Sequence, residues 1–440
     1  MSTAADQIPA QITAACAAVR PAGPADAVAG VQPHIVAAPA STSEAGTLLR
    51  AAAELGMAVV PRGTGSRLHW GYPPERCDLV IDTTQLDEVV EHAAGDLVVT
   101  VQAGVRLNRL AEVLARAGQR LALDPPASDD LEAGRGTVGG VLAAAAAGPL
   151  RLRYGTGRDL LIGVTVVRAD GTIARSGGKV VKNVAGYDLG KLFAGSRGTL
   201  GLITQATFRL HPLPARVAYV AAECASPAEV ARALATATES QFNPVAAEIY
   251  WPSGSAQVQA GVALEGDPAS IAARGDALAA ALGPDSAASV NAEPPAWWGA
   301  GAAAQSGATV LQIGFWPGEL TMVLNELRRQ ADAAGLDPMI GGSAAAGQVH
   351  AALTADEDPA SVAALVSGLR DTLGAHGRLR NGSAGGPPAN ASVVVQHAPA
   401  AVTALVDLFG PVPSLALMRS VKAQFDPGRM MAPGRFAGRI

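Results

Sequence analysis

The 440 residues are 49% hydrophobic and 16% charged, with 33 basic against 38 acidic side chains and a formal net charge of -5. Such a chain is globular, divides into roughly two or three domains and buries about 75% of its unfolded surface. No run of Lys or Arg tracks a phosphate backbone, so nucleic acid is not an expected partner. Cys16, Cys77 and Cys224 form no CxxC pair, so no disulfide framework, zinc site or iron–sulfur cluster is expected in this chain.

The first residues, MSTAADQIPAQITAACAAVRPAG, are Ala-rich but lack a basic segment followed by an apolar one. No stretch reaches the ~18 apolar residues of a membrane span. A cytoplasmic location is expected, and the sequons at Asn381 and Asn390 then read as chance matches.

Residues 34 to 60 read strand, helix, strand: HIVAAP, a capping box at Ser41-x-x-Glu44 opening LLRAAAELG, then MAVVP. The run PRGTGS follows, residues 61 to 66, where Gly and Pro break a regular strand and free several amides to point one way. Such a turn is either an anion nest or an ordinary Gly-rich loop. Strand LVID, strand LVVTVQAG and helix LNRLAEVLARAG come next.

Gly134, Gly136 and Gly139 then spell GxGxxG, with Asp159 twenty residues on, as a Rossmann fingerprint asks. The preceding PPASDDLEA is a proline-led polar loop and not a buried strand, which argues against that reading. Thr137 to Gly140 read instead as a second amide-rich loop whose small residues permit close backbone approach. A long apolar strand and a hairpin turned at Ala169-Asp170-Gly171 follow. The strand GLITQATFRL ends at Pro212, and Pro212 with Pro214 marks a domain boundary.

From Arg216 to about Pro399 apolar strands alternate with Ala-rich helices. VAYVAAE, AEVARALATAT, AAEIYW, AQVQAGVAL and IAARGDALAAALG form one βαββα unit. TVLQIGFW, ELTMVLNELRRQADAAG, PMIGG, QVHAALT, VAALVSGLRDTLGAHG and SVVVQHA repeat the order. Two such units predict one shared sheet. Trp251, Trp297, Trp298 and Trp316 are expected in packing rather than stacking on a ligand. His350, His376 and His397 are scattered, with no metal-ligand spacing, so no metal site is expected.

The ordered set PRGTGS, TVGG, YGTGRDLLIGVTVV, KNVAGYDL and GSRGTLGLIT resembles the FAD-binding domain of the vanillyl-alcohol oxidase and p-cresol methylhydroxylase superfamily. KNVAGYDL with the closing AQFDPGRMMAPGRF most resembles the GlcE-type subunits of bacterial glycolate oxidase. The match covers about half of the chain. It implies an α+β fold: a two-subdomain PCMH-type (p-cresol methylhydroxylase-type) FAD-binding domain followed by an α+β cap domain with an antiparallel sheet. The implied segments are 1–33, an N-terminal piece; 34–214, the FAD-binding domain; 215–410, the cap; and 411–440, a return to the FAD-binding domain.

Carried over residue by residue, the resemblance gives Arg62, Gly63, Thr64, Gly65 and Ser66 the FAD pyrophosphate, held through backbone amides, with Pro61 before them also among the cofactor-binding residues. Thr137, Gly139 and Gly140 close on the same group from the second loop, and Pro125 and Gly136 are counted with the cofactor-binding residues. Gly157 and Asp159 line the cofactor channel, and Gly201 with Ile203 meets the adenine side. Lys182, Asn183, Tyr187 and Asp188 either tie their loop to the sheet or meet substrate. Arg429 and Arg435 either pair with the cofactor or a carboxylate, or lie in a solvated tail.

Departures from the family pattern carry information. Covalent members place a flavin-linking His after the glycine turn, where this chain has Ser66, with His69 offset by three residues; dissociable, non-covalent FAD is expected. Related catalytic chains read GSEGTLG and TIGGN, where this one has Arg197 for the Glu and Val141 for the Asn. It also lacks their His-rich metal-binding segment and HAGDGN-like stretch, so no catalytic base is named.

The function implied is that of an FAD-binding subunit of a glycolate dehydrogenase complex. A small 2-hydroxyacid is oxidised there and electrons pass to an iron–sulfur subunit, beside a homologous flavin subunit, with any membrane contact peripheral. Two alternatives stand beside it: an FAD-binding relay or assembly subunit without its own substrate oxidation, and a free-standing FAD-dependent sugar or lactone oxidase.

Overall fold

The computed structural model describes residues 8–126, 136–178, 187–282, 287–299, 308–380 and 391–440, the side chains of 375–380 excepted. Gly134, Lys182, Asn183, Asn381 and Asn390 therefore lie outside the described residues. Three main sheets carry the fold.

In the first sheet, β1 (Val19–Pro21), β2 (Ile35–Ala37), β3 (Val59–Arg62) and β4 (Leu79–Asp82) stand in the order β1-β2-β4-β3. Both β2 and β3 run parallel to β4, which requires a crossover, and the helix Thr42–Glu54 supplies it. Ser41 Oγ caps that helix by accepting Glu44 N at 3.1 Å. The Glu44 carboxylate reaches past Ser41 to Ala40 N (2.8 Å) and Ala17 N (2.7 Å), fastening the helix to the preceding segment. Its stripe of Ala45, Leu48, Leu49 and Ala52 is fully buried against Leu79, Ile81 and Met431, each buried Leu contributing about 1.5–3 kcal/mol. Residues near 431 finish the sheet edge: Val59 N donates to Met430 O at 2.7 Å and Ala432 N to Val59 O at 2.8 Å.

The second sheet contains β5 (Val89–Ala93) and β6 (Val98–Gln102). After the two-residue β7 (Gln119–Arg120), it continues with β8 (Leu161–Val167), β9 (Ile173–Gly177) and β10 (Leu202–Arg209), in the order β5-β6-β10-β8-β9. All its pairings are antiparallel. The expected hairpin turn at 169–171 is present, with Val167 opposite Ile173. The helix Leu107–Ala115 buries Leu107, Leu110 and Leu114 on this sheet.

The short β11 (His211–Pro212) pairs with β7, and the chain then enters the third sheet. Its strands are β12 (Arg216–Cys224), β13 (Ala246–Trp251), β14 (Val258–Gly266), β15 (Ser289–Asn291), β16 (Thr309–Gly314), β17 (Met339–Gly342), β18 (Gln348–Leu353) and β19 (Ser392–His397). The order β15-β12-β14-β13-β17-β18-β16-β19 is antiparallel throughout. The two expected α+β repeats thus share one sheet, joined where β13 meets β17. Helices Pro227–Thr238, Leu320–Ala333 and Pro359–Arg380 cover one face, where Val220, Ile249, Val262, Ile313, Val349 and Val395 are buried.

The opposite face turns toward the first two sheets. Arg120 Nη2 meets Glu265 Oε2 at 2.6 Å, and Tyr154 Oη, 2.9 Å from each, donates to that carboxylate and accepts from the guanidinium. Trp297 stacks on Tyr250 and Trp298 packs edge-on to Tyr219, both over Gly261. Trp251 is buried and donates Nε1–H to Ser255 O at 2.9 Å. Trp316 departs from the packing expectation, being 60% exposed. Among the described residues no helix is long and apolar enough to cross a membrane.

Candidate functional site

A cleft opens where the end of β3 faces the 137–140 segment and the start of β10. Pro61, Arg62, Gly63, Thr64, Gly65 and Ser66 line one side. The Arg62 side chain is committed elsewhere, with Nη1 on Asp26 Oδ1 and Nη2 on Asp82 Oδ2, both at 2.9 Å, so only its backbone serves the cleft. The amides of Gly63, Thr64, Gly65 and Ser66 donate to no acceptor among the described residues. Thr64 Oγ1 is also buried without a partner. Unmet donors of this kind are stable only where a ligand or water accepts them.

Thr137, Gly139 and Gly140 form part of the opposing wall. Their amides are not free in the way the sequence suggested: Gly139 N donates to Ala103 O at 2.8 Å and Gly140 N to Thr137 Oγ1 at 3.2 Å. Their contribution is close approach. A Cβ at Gly63 would collide with Thr137 Oγ1, and one at Gly136 would stand 2.9 Å from Ser66 Oγ. Gly136 itself, at φ +93°, borders the first loop without lining the cleft.

Gly201 and Ile203 line the third side, together with Gly198 and Leu202. Two arginines complete it, 238 positions apart in the chain. Arg197, whose backbone sits at φ +54°, places its guanidinium 5.0 Å from the Phe409 ring centre and 5.7 Å from that of Phe436. Its Nη1 is buried without a hydrogen-bond partner. Arg435, 5% exposed, donates Nη2–H to Trp70 O at 3.0 Å and to Leu68 O, while its Nε has no partner. Burial pushes each guanidinium down to about 10, and for Arg197 the charge of Arg435 adds to the effect. Neither forms an ion pair with a described carboxylate. Two desolvated guanidiniums beside a run of open amides are complementary to an anion of more than one charge.

Pro125, Gly157 and Asp159 are not brought to the cleft. Gly157 packs on Leu142 and Leu123. Asp159 accepts Thr156 N at 2.7 Å and Thr156 Oγ1 at 2.8 Å. Burial pushes its carboxyl up, but those hydrogen bonds prevail and hold it below the usual range. It caps its own short helix. Tyr187 is 92% exposed, and Asp188 pairs with Lys191 at 3.6 Å. Arg429 is exposed and faces Glu75 at 3.4 Å. Ser66 Oγ accepts from Arg67 Nη1 at 3.0 Å, and exposed His69 sits edge-on to His397 at 4.7 Å. Trp70, Thr83, Ala103, Ala143 and Ala144 also line the cleft, without any signal in the sequence reading.

A family model described as "FAD binding domain" matches residues 33–177. That segment is an FAD-binding domain. The match runs from β2 to β9 and takes in both loops of the cleft. The glycolate oxidase subunit GlcD of Bacillus subtilis is 37% identical over 182 residues, 41% of this chain and 38% of that protein. The D-lactate dehydrogenase of Archaeoglobus fulgidus is 37% identical over 178 residues, 40% and 39% of the two chains. The chain thus spans about two-fifths of the length of these relatives. The structure of p-cresol methylhydroxylase with substrate bound superposes with a TM-score of 0.66 at 13% identity, over 92% of this chain and 89% of that one. The fold is therefore PCMH-type, α+β with antiparallel sheets.

FAD fits the cleft on the chain's own evidence. Its diphosphate would take the amides of Gly63 to Ser66 and balance Arg197 and Arg435. Bound there, FAD supplies a two-electron acceptor that no side chain provides.

Proposed function

We propose that the chain is an FAD-dependent oxidoreductase subunit that holds its flavin non-covalently and serves the oxidation of a small 2-hydroxyacid such as glycolate or lactate. One coincidence carries this reading. Residues 33–177, matched by the FAD-binding model, supply both glycine loops of the cleft, in a chain similar over 178–182 residues to GlcD and to a D-lactate dehydrogenase. Gly63–Ser66, Arg197 and Arg435 hold the diphosphate in this reading, with Thr137, Gly139, Gly140, Gly201 and Ile203 shaping the walls. The dissociable flavin is supported by Ser66, a hydroxyl that cannot form a histidyl linkage. A homologous flavin subunit and an iron–sulfur subunit are the proposed partners, since no Cys cluster in this chain can carry electrons onward.

A second reading, in which the chain holds FAD as a relay or assembly subunit, is favoured by the lack of an HAGDGN-like stretch. Anaerobic mixing of the flavin-loaded chain with glycolate or D-lactate separates the two. Bleaching of the flavin absorbance supports direct oxidation, whereas bleaching only after a second flavin subunit is added supports the relay. Acid precipitation should leave the yellow colour in the supernatant; a yellow pellet rules out the non-covalent assignment.

A further inference from the structure

The third sheet presents polar residues on the face opposite its helices. In β13, Ala247, Ile249 and Trp251 join the helix-covered core, so Glu248 and Tyr250 point the other way. In β18, Val349, Ala351 and Leu353 do the same, which sends Gln348 and His350 to the polar face. Tyr250, Gly341 and His350 are successive cross-strand partners. In the adjoining row Ser343 Oγ donates to Glu248 Oε1.

The short helix Arg151–Tyr154 packs against β13 and brings Arg151 to this face. Arg151 follows, after a short turn, the helix Val138–Ala144 whose last residues line the flavin cleft. It makes no ion pair or side-chain hydrogen bond with a described residue. His350 Nδ1 is buried and unpartnered, while Nε2 lies 3.2 Å from Gln348 Nε2.

The protonation states sharpen the chemistry. Burial pushes Glu248 up to about 8, against the Ser343 hydrogen bond and the Arg151 charge, with Asp124 adding to the rise. Burial also pushes His350 down to about 4, with Arg151 adding to the effect. At pH 7 the cluster therefore holds a charged guanidinium, a largely protonated carboxylic acid and a neutral imidazole. Gln348 Nε2–H donates to His350 Nε2, which leaves the proton of the neutral ring on Nδ1; one positive charge and an open N–H donor complement a small anion that carries a hydroxyl.

We propose that Arg151, Glu248 and His350 form the substrate site, with Arg151 binding the carboxylate of a small 2-hydroxyacid and His350 Nδ1–H donating a hydrogen bond to its hydroxyl oxygen. This rests on the 2-hydroxyacid reading above. Glu248 and Ser343 hold the floor between the two contacts, and Glu248 acts as a positioning residue.

The test is calorimetric titration of the full, flavin-loaded chain with 2-hydroxyisobutyrate, which has no α-hydrogen to lose, and with isobutyrate, which lacks the hydroxyl. The wild type should bind the hydroxyacid at least tenfold more tightly than isobutyrate. R151M should weaken both ligands at least tenfold at unchanged flavin content, and H350N should erase the preference for the hydroxyl while keeping isobutyrate affinity within about threefold. Should R151M fail to fold, H350N decides. Equal binding of 2-hydroxyisobutyrate by wild type and either folded variant overturns the proposal, as does a flavin-loaded wild type that binds neither ligand. A wild-type chain that retains no FAD overturns instead the functional reading on which the proposal rests.

Discussion

Lys422 Nζ lies 2.6 Å from Asp426 Oδ2, one helical turn further along, with the carboxylate wholly buried and the lysine 5% exposed. The pair is saturated. Nζ also donates to Thr199 O at 2.7 Å and Met431 O at 2.9 Å, and the carboxylate accepts Met430 N at 3.0 Å and Met431 N at 2.8 Å. It thus clamps the segment before Gly201 to the segment that closes the first sheet. K422M leaves the carboxylate buried without its counter-charge and should cost about 3–5 kcal/mol. Urea unfolding should show the midpoint fall, and flavin retention should fall with it because Thr199 adjoins the cleft wall.

Replacing Arg197 separates flavin affinity from stability. Among the described residues its guanidinium makes only ring contacts, beside the like charge of Arg435. R197M should therefore lower FAD affinity about tenfold or more, the loss of a charge-assisted hydrogen bond worth about 1.5–3 kcal/mol. The flavin-free protein should melt at the same temperature as wild type or higher. Fluorescence titration with FAD and thermal melts of the apoprotein check the two halves independently.

Gly63 is a steric hinge between the two loops of the cleft. In G63A the new methyl meets Thr137 Oγ1, which also accepts the Gly140 amide, so the second loop cannot give way without losing that bond. Most bound flavin should be lost on gel filtration. Far-UV circular dichroism should stay unchanged, because the third sheet lies apart from the contact.

The pH dependence of stability should carry the mark of Glu248. Its folded value, about 8, stands above the unfolded value near 4.5, so between these the native state holds a proton that the unfolded chain has released. The contribution is complete below pH 4.5 and fades as pH rises through 8. E248Q should abolish this decline, most visibly when urea midpoints at pH 5, 7 and 8.5 are compared with wild type. His350, depressed to about 4, acts in the opposite window and loses its contribution as pH falls from about 6.5 through 4.

Much of the architecture was legible because burial writes a pattern locally. LVID is β4 to the residue, and Ser41 with Glu44 announced the helix that carries the first crossover. The paired order of strands and helices from Arg216 onward gave the shared sheet, since each unit repeats the same periodicities. The strand β5 was missed because VVEHA is half-exposed and lacks an apolar stripe. In the cleft, the glycine loops were visible as composition, but the engagement of the Gly139 and Gly140 amides depends on Ala103 and on the Thr137 cap, which only the fold supplies. Asp159 sits at Rossmann spacing yet serves Thr156. The meetings of Arg197 with Arg435 and of Glu248 with His350 are set by strand order across more than a hundred residues. A signal for the second did exist: β13, β16, β18 and β19 each interrupt an apolar run with Glu248, Gln312, His350 or Gln396.

The edge that Met430 to Ala432 lend to Val59 sets an order of events during synthesis. β3 and its glycine loop leave the ribosome early, but the strand has no finished edge, and the cleft no Arg435, until residue 435 has emerged. At about 5–20 residues per second that interval is on the order of tens of seconds. Flavin capture is thereby postponed until residue 435 has emerged, and a chain truncated before residue 430 would fold its third sheet yet have no complete place to put the cofactor.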